Sequence, residues 1–326
     1  MTRAIVATLL LVACGRSETR DTQDASSALG SSSTPTPAPA PTPDPPCPAG
    51  MLFVSGRFCP KVERDCLHDE PNGANHITLC HAFAHETRCT ALEEEERAFC
   101  IDEYEYPNEK GAHPPWMVSW ADAQATCLLR GKRLCYESEW TMACEGPERL
   151  PFPYGWDRDN AACNIDNEYI APSIEKMNAI DPPDAGDAAV QAPELARLDQ
   201  SVASGAFARC VSGFGAHDMT GNFDEWVIND QPVPAKGADT GKYSALKGGA
   251  WGHVRNACRP LTTSHAPQWS YYFVSFRCCA DARGSPRYAP PSSAFPAPSV
   301  APADKAPLTK VVRPTGPSRK KVKPIK

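Results

Sequence analysis

The groups in this 326-residue chain whose spacing can decide a chemistry are thiols, imidazoles and carboxylates, and cysteine alone occurs fifteen times. Six cysteines, Cys47, Cys59, Cys66, Cys80, Cys89 and Cys100, are interleaved with His68, His76, His81 and His85. Mixed thiolate and imidazole sets hold zinc when ligands arrive in close pairs. Here no CxxC occurs, the steps from Cys66 to Cys100 run nine to fourteen residues, and His81 with His85 is the one close pair. That spacing favours disulfides over a metal, and setting Cys14 aside leaves fourteen cysteines, an even number. A second donor set is hard. In DMTGNFDEW, Asp218 and Glu225 flank the carbonyls of Gly221 and Phe223 on a turn, oxygen donors that suit a six- to eight-coordinate structural calcium ion. The alternative is that both carboxylates simply accept from turn amides.

These residues need a frame, and the stretch from Cys127 to Cys144 supplies its signals. Upstream, Ser119 and Asp122 have capping-box spacing, the serine accepting from an early amide and the aspartate reaching back, so a helix of about ten residues should follow and end at Gly131. Ala123 and Cys127 share one face of it. Lys132, Arg133 and Leu134 read as an extended link, and Glu137 to Cys144 as a second helix closed by Gly146, with Glu137 and Glu139 at the positive end of its dipole. Cys127 and Cys144 thus point from two helices into one core, each placed to bond a distant cysteine. Elsewhere Phe99 to Tyr106 alternates like a half-buried strand, Trp116 to Val118 is a short extended piece, and Tyr271 to Cys278 is the last strand. Residues 171 to 209 read as a long surface insertion.

The ends are of another kind. Residues 1–14 carry Arg3, an apolar run too short to span a bilayer and Leu-Val-Ala-Cys, a signal peptide whose last positions match the bacterial lipobox, with Cys14 as the lipidation site; ordinary cleavage beside a free Cys14 is the alternative. A lipid anchor predicts membrane attachment in the bacterial cell envelope, and Gly15, not being aspartate, leaves the outer membrane open to it. Residues 15–46 are Ser-, Thr- and Pro-rich and expected to be a disordered spacer, its proline part extending roughly 3 Å per residue. Residues 283–326 are a second Pro-rich segment with ten basic side chains against Asp304, a net charge of +9 that suits an anionic envelope polymer or lipid surface. Between them, residues 47–282 form one domain, with a Cys-rich part at 47–100. The chain's net charge is −6 and the domain's −14, so no basic stripe suggests a nucleic-acid ligand.

Within that domain the ordered set VSW, GKRL followed by ExEW, YG, CNI, DMTGNxxEW, KGGAW and SFRC resembles the formylglycine-generating enzyme family, also called sulfatase-modifying factor domains, over roughly Met51 to Asp281. The resemblance implies an α+β, irregular and loop-rich fold of the C-type-lectin-like kind, stapled by disulfides. The family's RLPTEAEWE is RLCYESEWT here, so Cys135 and Tyr136 replace its proline and capping threonine. It further implies pairing of Cys127 with Cys278 and of Cys144 with Cys258, and Cys135 with Cys279 follows as a weaker guess. The calcium loop of the family maps onto Asp218, Gly221, Phe223 and Glu225, with Asp218 in place of its asparagine, and part of a second calcium site onto Asn164 and Ile165.

The family's catalysts oxidise a sulfatase cysteine to formylglycine with a copper-binding CxxxxC pair after the GG-aromatic motif, sulfur suiting soft Cu(I). Here that region reads GGAWGHVRNACRP, with Cys258 as its only thiol and His253 as the other soft donor, so copper is not expected. The reading that follows is a non-catalytic, surface-tethered lipoprotein that binds a protein or glycan ligand or serves a structural role. Trp251, His253, Trp269, Tyr271 and Tyr272 are its ligand-contact candidates, the alternative being that most of these aromatics belong to the core. A formylglycine-generating-type oxidoreductase, or another oxidase of the family, is the alternative. If Cys14 carries the anchor, Cys14→Ala should shift the protein from the membrane pellet to the soluble fraction; a variant that still sediments with membranes rejects the lipobox.

Overall fold

The structure is a computed structural model, and it describes residues 45–72, 77–173, 175–176, 188–231 and 243–288. Cys14, His76, the spacer up to residue 44 and the tail from residue 289 lie outside the described residues. No described helix is long and apolar enough to cross a membrane.

Two sheets and two ribbons carry the fold. A four-stranded sheet runs in the order β1 (Met51–Phe58), β6 (Glu95–Asp102), β11 (Cys278–Asp281), β7 (Arg133–Leu134), all antiparallel. A three-stranded sheet places β8 (Asp224–Ile228) between β10 (Val274–Phe276), parallel to it, and β9 (Ser244–Lys247), antiparallel. β2 (Val62–Glu63) pairs with β5 (Arg88–Cys89), and β3 (Cys66–Asn72) with β4 (Ile77–Phe83). The strand read at Phe99 to Tyr106 begins earlier and stops at Asp102. Beyond it the chain turns, with Asn108 at positive φ and its amide oxygen accepting from the Tyr104 N–H. Trp116 to Val118 forms no strand, because Met117 sits at φ 55°.

The helices stand where the capping signals put them. α1 (Trp120–Leu128) starts at Ser119, whose hydroxyl accepts the Asp122 N–H at 3.1 Å, while the Asp122 carboxylate takes the serine hydroxyl proton and not the serine amide. Gly131 follows in the left-handed region at φ 67°. α2 (Glu137–Glu145) has no side-chain bond from Tyr136. Glu139 instead accepts the Tyr136 N–H at 2.9 Å and grips Arg133 with both oxygens, so a salt bridge to the preceding strand replaces the missing cap. Every residue of α2 is buried, and Trp140, Ala143 and Cys144 enter the main core with Val54, Phe99, Met219 and Val227. A third helix, α3 (Ala188–Leu198), lies inside the expected surface insertion, yet buries Leu198 beside Trp116, Phe223 and Trp251, which makes this end of the insertion part of the core.

All fourteen domain cysteines are bonded. Cys47–Cys100, Cys59–Cys89 and Cys66–Cys80 close within the N-terminal part; Cys127–Cys278, Cys135–Cys279 and Cys144–Cys258 tie the helical segment to the C-terminal strands; Cys163–Cys210 closes a seventh loop. The adjacent Cys278 and Cys279 on β11 point to opposite faces of the sheet, which lets one strand fasten α1 on one side and the start of α2 on the other. Loops as long as these three C-terminal ones stabilise by roughly 4–5 kcal/mol each on the chain-entropy account. Alkylation of the unreduced protein should label none of the fourteen, and a non-reducing digest should yield one Cys278-Cys279 peptide carrying both Cys127 and Cys135. A different partner for Cys135 would contradict the sheet register at β7 and β11.

Candidate functional site

The segment expected to hold calcium forms the entry to β8, and its carboxylates are spoken for. Arg277, fully buried between β10 and β11, donates from Nε and Nη2 to the two oxygens of Glu225 at 2.7 Å each, and Trp140 Nε1 donates to Oε2 at 2.8 Å. Asp218, at φ 56°, accepts the Gly205 N–H at 2.6 Å. Burial pushes its carboxyl up to about 6, despite that bond and Arg277. Burial also holds Glu105 well above the carboxylate range, with Asp218 and Glu225 adding to the effect; Asn222 and Ser204 donate to it. Three buried carboxyl groups thus share one guanidinium. Asn164 and Ile165 come to the same place: a Cβ on Gly221 would lie 2.3 Å from the Asn164 carbonyl, which already accepts the Asn222 N–H at 3.0 Å. The Asn164 side chain donates to Gln200 O and Asn222 Oδ1 and accepts from Asn167.

On the opposite side of β8 lies a half-exposed cluster of imidazole and aromatic rings, here termed the groove. After β9 the chain turns through Gly248 and Gly249, both at positive φ, and Asn256 Nδ2 bridges the carbonyls of Gly248, Gly249 and Ala250. A Cβ on Gly249 would meet that amide at 2.9 Å, so the turn needs glycine. The turn delivers His253 to Asp224, the first residue of β8, with Nδ1 2.8 Å from Oδ2. The imidazole is 37% exposed and its edge meets the Phe273 ring at 4.4 Å. Burial lowers its proton affinity, but the Asp224 carboxylate and its hydrogen bond outweigh that and leave it above the ordinary histidine value. Beside it, His265 stacks on Trp269 at 3.7 Å and Trp269 on Tyr271 at 5.3 Å, while Tyr271 and Phe273 meet edge to face. Burial holds His265 below the ordinary value. Trp251 and Tyr272, contact candidates whose alternative was a place in the core, are 4% and 6% exposed and take the core position, so the contact surface reduces to His253, His265, Trp269, Tyr271 and Phe273.

Comparison with known proteins gives this arrangement its lineage. Residues 81–282 match the sulfatase-modifying factor enzyme 1-like domain. The chain belongs to that family. It is 28% identical over 183 residues to the formylglycine-generating enzyme of Bos taurus, covering 52% of this chain and 44% of that protein, and 28% identical over 189 residues to the formylglycine-generating enzyme of Thermomonospora curvata, covering 52% and 56%. The chain therefore spans about half the length of the curated relatives it matches. Among solved structures, PvdO from Pseudomonas aeruginosa aligns with a TM-score of 0.43 at 16% identity, over 71% of this chain and 94% of that one. The fold is the α+β, loop-rich, disulfide-stapled C-type-lectin-like fold of the formylglycine-generating type.

Against the chemistry of this sulfatase-modifying factor domain, the calcium ligands fit poorly. A cation at Glu225 would have to share a carboxylate whose two oxygens already accept three hydrogen bonds, two of them from the Arg277 guanidinium, which carries a charge of the same sign. Copper fares no better among the described residues: Cys258, the one thiol after the GG-aromatic motif, is bonded to Cys144. Sequence reasoning named His253 but missed three residues that complete the groove. Asp224 was legible inside DMTGNFDEW, being the residue whose side chain must face away from Glu225 on a strand. Phe273 lay in the strand signal YYFVSFRC, and His265 carried no signal at all.

The raised carboxyl of Asp218 has a thermodynamic sign. Its folded value lies above the unfolded one, so the folded state binds more protons and stability falls as pH rises from about 4 to about 6. Asp218→Asn keeps the acceptor for Gly205 and tolerates the left-handed backbone, so it should stabilise the protein at pH 7.5 by about 1–3 kcal/mol in chemical denaturation, with the gain vanishing near pH 4. A loss of stability at pH 7.5, together with a melting temperature that drops on chelation, would instead mark Asp218 as a cation ligand.

Proposed function

We propose that this sulfatase-modifying factor domain is a non-catalytic binding or structural module held at the cell envelope. The observation carrying that reading is the Cys144–Cys258 bond: the one thiol in the loop after the GG-aromatic motif is the structural staple that the family resemblance implies, so the loop has no cysteine pair to hold copper, and its other soft donor, His253, is turned to Asp224. All fourteen domain cysteines are in disulfides, which leaves no thiolate pair in the domain for Cu(I).

The groove around His253 suits recognition. It offers a hydrogen-bonding imidazole fixed by a buried carboxylate, with aromatic edges at Phe273, Tyr271 and Trp269 beside it, the combination by which apolar walls and a few placed polar groups bind a protein or glycan surface. In this reading the lipidated Cys14 and the spacer at residues 15–46 tether the domain, and the basic tail at 283–326 engages an anionic envelope polymer or lipid surface.

The identity to formylglycine-generating enzymes favours the competing reading of an oxidase acting on a protein cysteine, and one assay separates the two. Mature protein titrated with copper and incubated with a CxPxR-type peptide under oxygen should give no formylglycine by mass spectrometry. Copper-dependent conversion would overturn the proposal.

A further inference from the structure

The outer edge of the four-stranded sheet is open. β1 is its end strand, and along an antiparallel pair successive residues turn their N–H and C=O groups alternately toward the partner and away from it. Two bonds fix which residues of β1 point away from β6. The Met51 N–H donates to the Pro48 carbonyl, and the Arg57 carbonyl accepts from Arg149 Nη2 at 3.1 Å. Phe53 and Ser55 lie between them in the same phase, so they turn N–H and C=O to the edge, with no backbone partner there among the described residues. The Phe53 ring beside them is 43% exposed. An uncovered edge is a template for a further strand, and natural sheets cover theirs. Along Ser55 to Cys59 the edge opens on a cavity of about 170 Å³, walled by Phe58, Met142, Pro147 and Phe214 and by the carboxylates of Glu94 and Glu145.

The chain carries one segment suited to that edge. Past the expected signal peptide, the residues outside the described ones hold a single uninterrupted run rich in β-branched side chains, Leu308-Thr309-Lys310-Val311-Val312-Arg313, closed at both ends by Pro307 and Pro314. Apolar and basic side chains mix along it, which matches a cavity with apolar walls and two carboxylates. The tail also leaves the domain next to this edge. Tyr288, the last described residue, sets its ring 3.6 Å from the Arg97 guanidinium, and Arg97 stands opposite Gly56 of β1. The connection from 289 to 307 reaches up to about 60 Å, while the edge is two strand spacings, about 10 Å, away. A tether of this kind holds the run at a roughly millimolar effective concentration, so a strand addition too weak to retain a free peptide is enough. The domain's charge of −14 acts in the same direction on Lys310 and Arg313.

We infer that residues 308–313 add to the outer edge of β1 as a fifth strand, pairing with the outward N–H and C=O groups of Phe53 and Ser55 and placing an apolar side chain in the cavity beside them. Main-chain bonds then supply the affinity and the cavity the register. The chain covers its own sheet edge in this way, and Arg319, Lys320, Lys321, Lys323 and Lys326 lie beyond the docked run. The inference is independent of the groove and of the reading given to it.

Amide hydrogen exchange resolved by residue tests it on the full mature chain and on a chain ending at Tyr288. The Phe53 and Ser55 amides should exchange about tenfold or more slowly in the full chain than in the shortened one. The double substitution Val311→Pro/Val312→Pro removes a donor from the run in either register and should return both amides to the fast rate, while a chain ending at Gly316 should keep them slow. Every variant leaves residues 45–288 intact. Equal exchange with and without the tail, slow exchange that survives the two prolines, or slow exchange lost on ending at Gly316 would each overturn the assignment. So would protection that rises with protein concentration in the shortened chain to the level of the full one, which would give the edge to a second copy.

Discussion

The fully buried guanidinium of Arg277 is the constraint on which the two sheets depend. It sits in the link between β10 and β11, one strand in each sheet, and its donors reach the Glu225 carboxylate on β8 and the carbonyls of His217 and Asp102. Trp140 closes the arrangement from α2. An ion pair this deep contributes little net stability over an apolar substitute of the same shape. Removing one member strands the other in a dry interior at a cost of about 3–5 kcal/mol. Its value is geometric, because it fixes the orientation of β8. With Glu225 directed inward, the alternation of a strand sends Asp224 to the other face, and that is where His253 finds it. The core ion pair and the groove are therefore two sides of one strand.

A second buried pair repeats the device at the start of α2. Lys247, the last residue of β9, reaches Glu137 at 2.7 Å, and Thr141 donates to the same oxygen. Lys247 also donates to the Arg259 carbonyl, next to Cys258. The loop between β9 and β10 is thus pinned at its start by a cation and a glycine turn and at residue 258 by a disulfide. Arg158 holds its middle through the carbonyls of His253 and Asn256. A loop so constrained presents His253 in one position without any regular secondary structure of its own, which is the condition for a recognition surface that loses little entropy on binding.

Legibility from the sequence followed the range of the interactions involved. Helix boundaries were visible because Ser119, Gly131 and Gly146 act on the backbone within a few residues of themselves. The staples from Cys127 and Cys144 were visible only through the family's order of motifs, since nothing local tells Cys278 from Cys258 as a partner. Cys163–Cys210 gave no sign, as its loop encloses the weakly patterned segment whose helix α3 was itself missed. Trp251 and Tyr272 could be read as contact or as core for a physical reason: the sequence shows an aromatic side chain but not which of its faces is covered, and here Phe223, Leu198 and each other cover both. The calcium expectation turns on the same kind of information. Glu225 has the right chemistry for a hard cation, and only the fold shows that Arg277, some fifty residues away, donates to both of its oxygens.

The exchange at the loop after the GG-aromatic motif changes what the groove can do. A thiolate pair offers soft, anionic donors to a metal and redox chemistry through it. An imidazole held by a buried carboxylate offers the reverse: hydrogen bonds at one fixed nitrogen, and a proton retained to higher pH than an isolated histidine would keep it. Cys258, the one thiol of that loop, is bonded to Cys144, and the staple stiffens the loop that displays the imidazole. The loop is thus a constrained surface that holds one oriented polar group among aromatic rings. Rigid display of a single hydrogen-bonding group beside apolar walls gives selectivity through the penalty of leaving that group unpaired, which is why Asp224, hidden beneath His253, matters as much to the groove as the residues a ligand would touch.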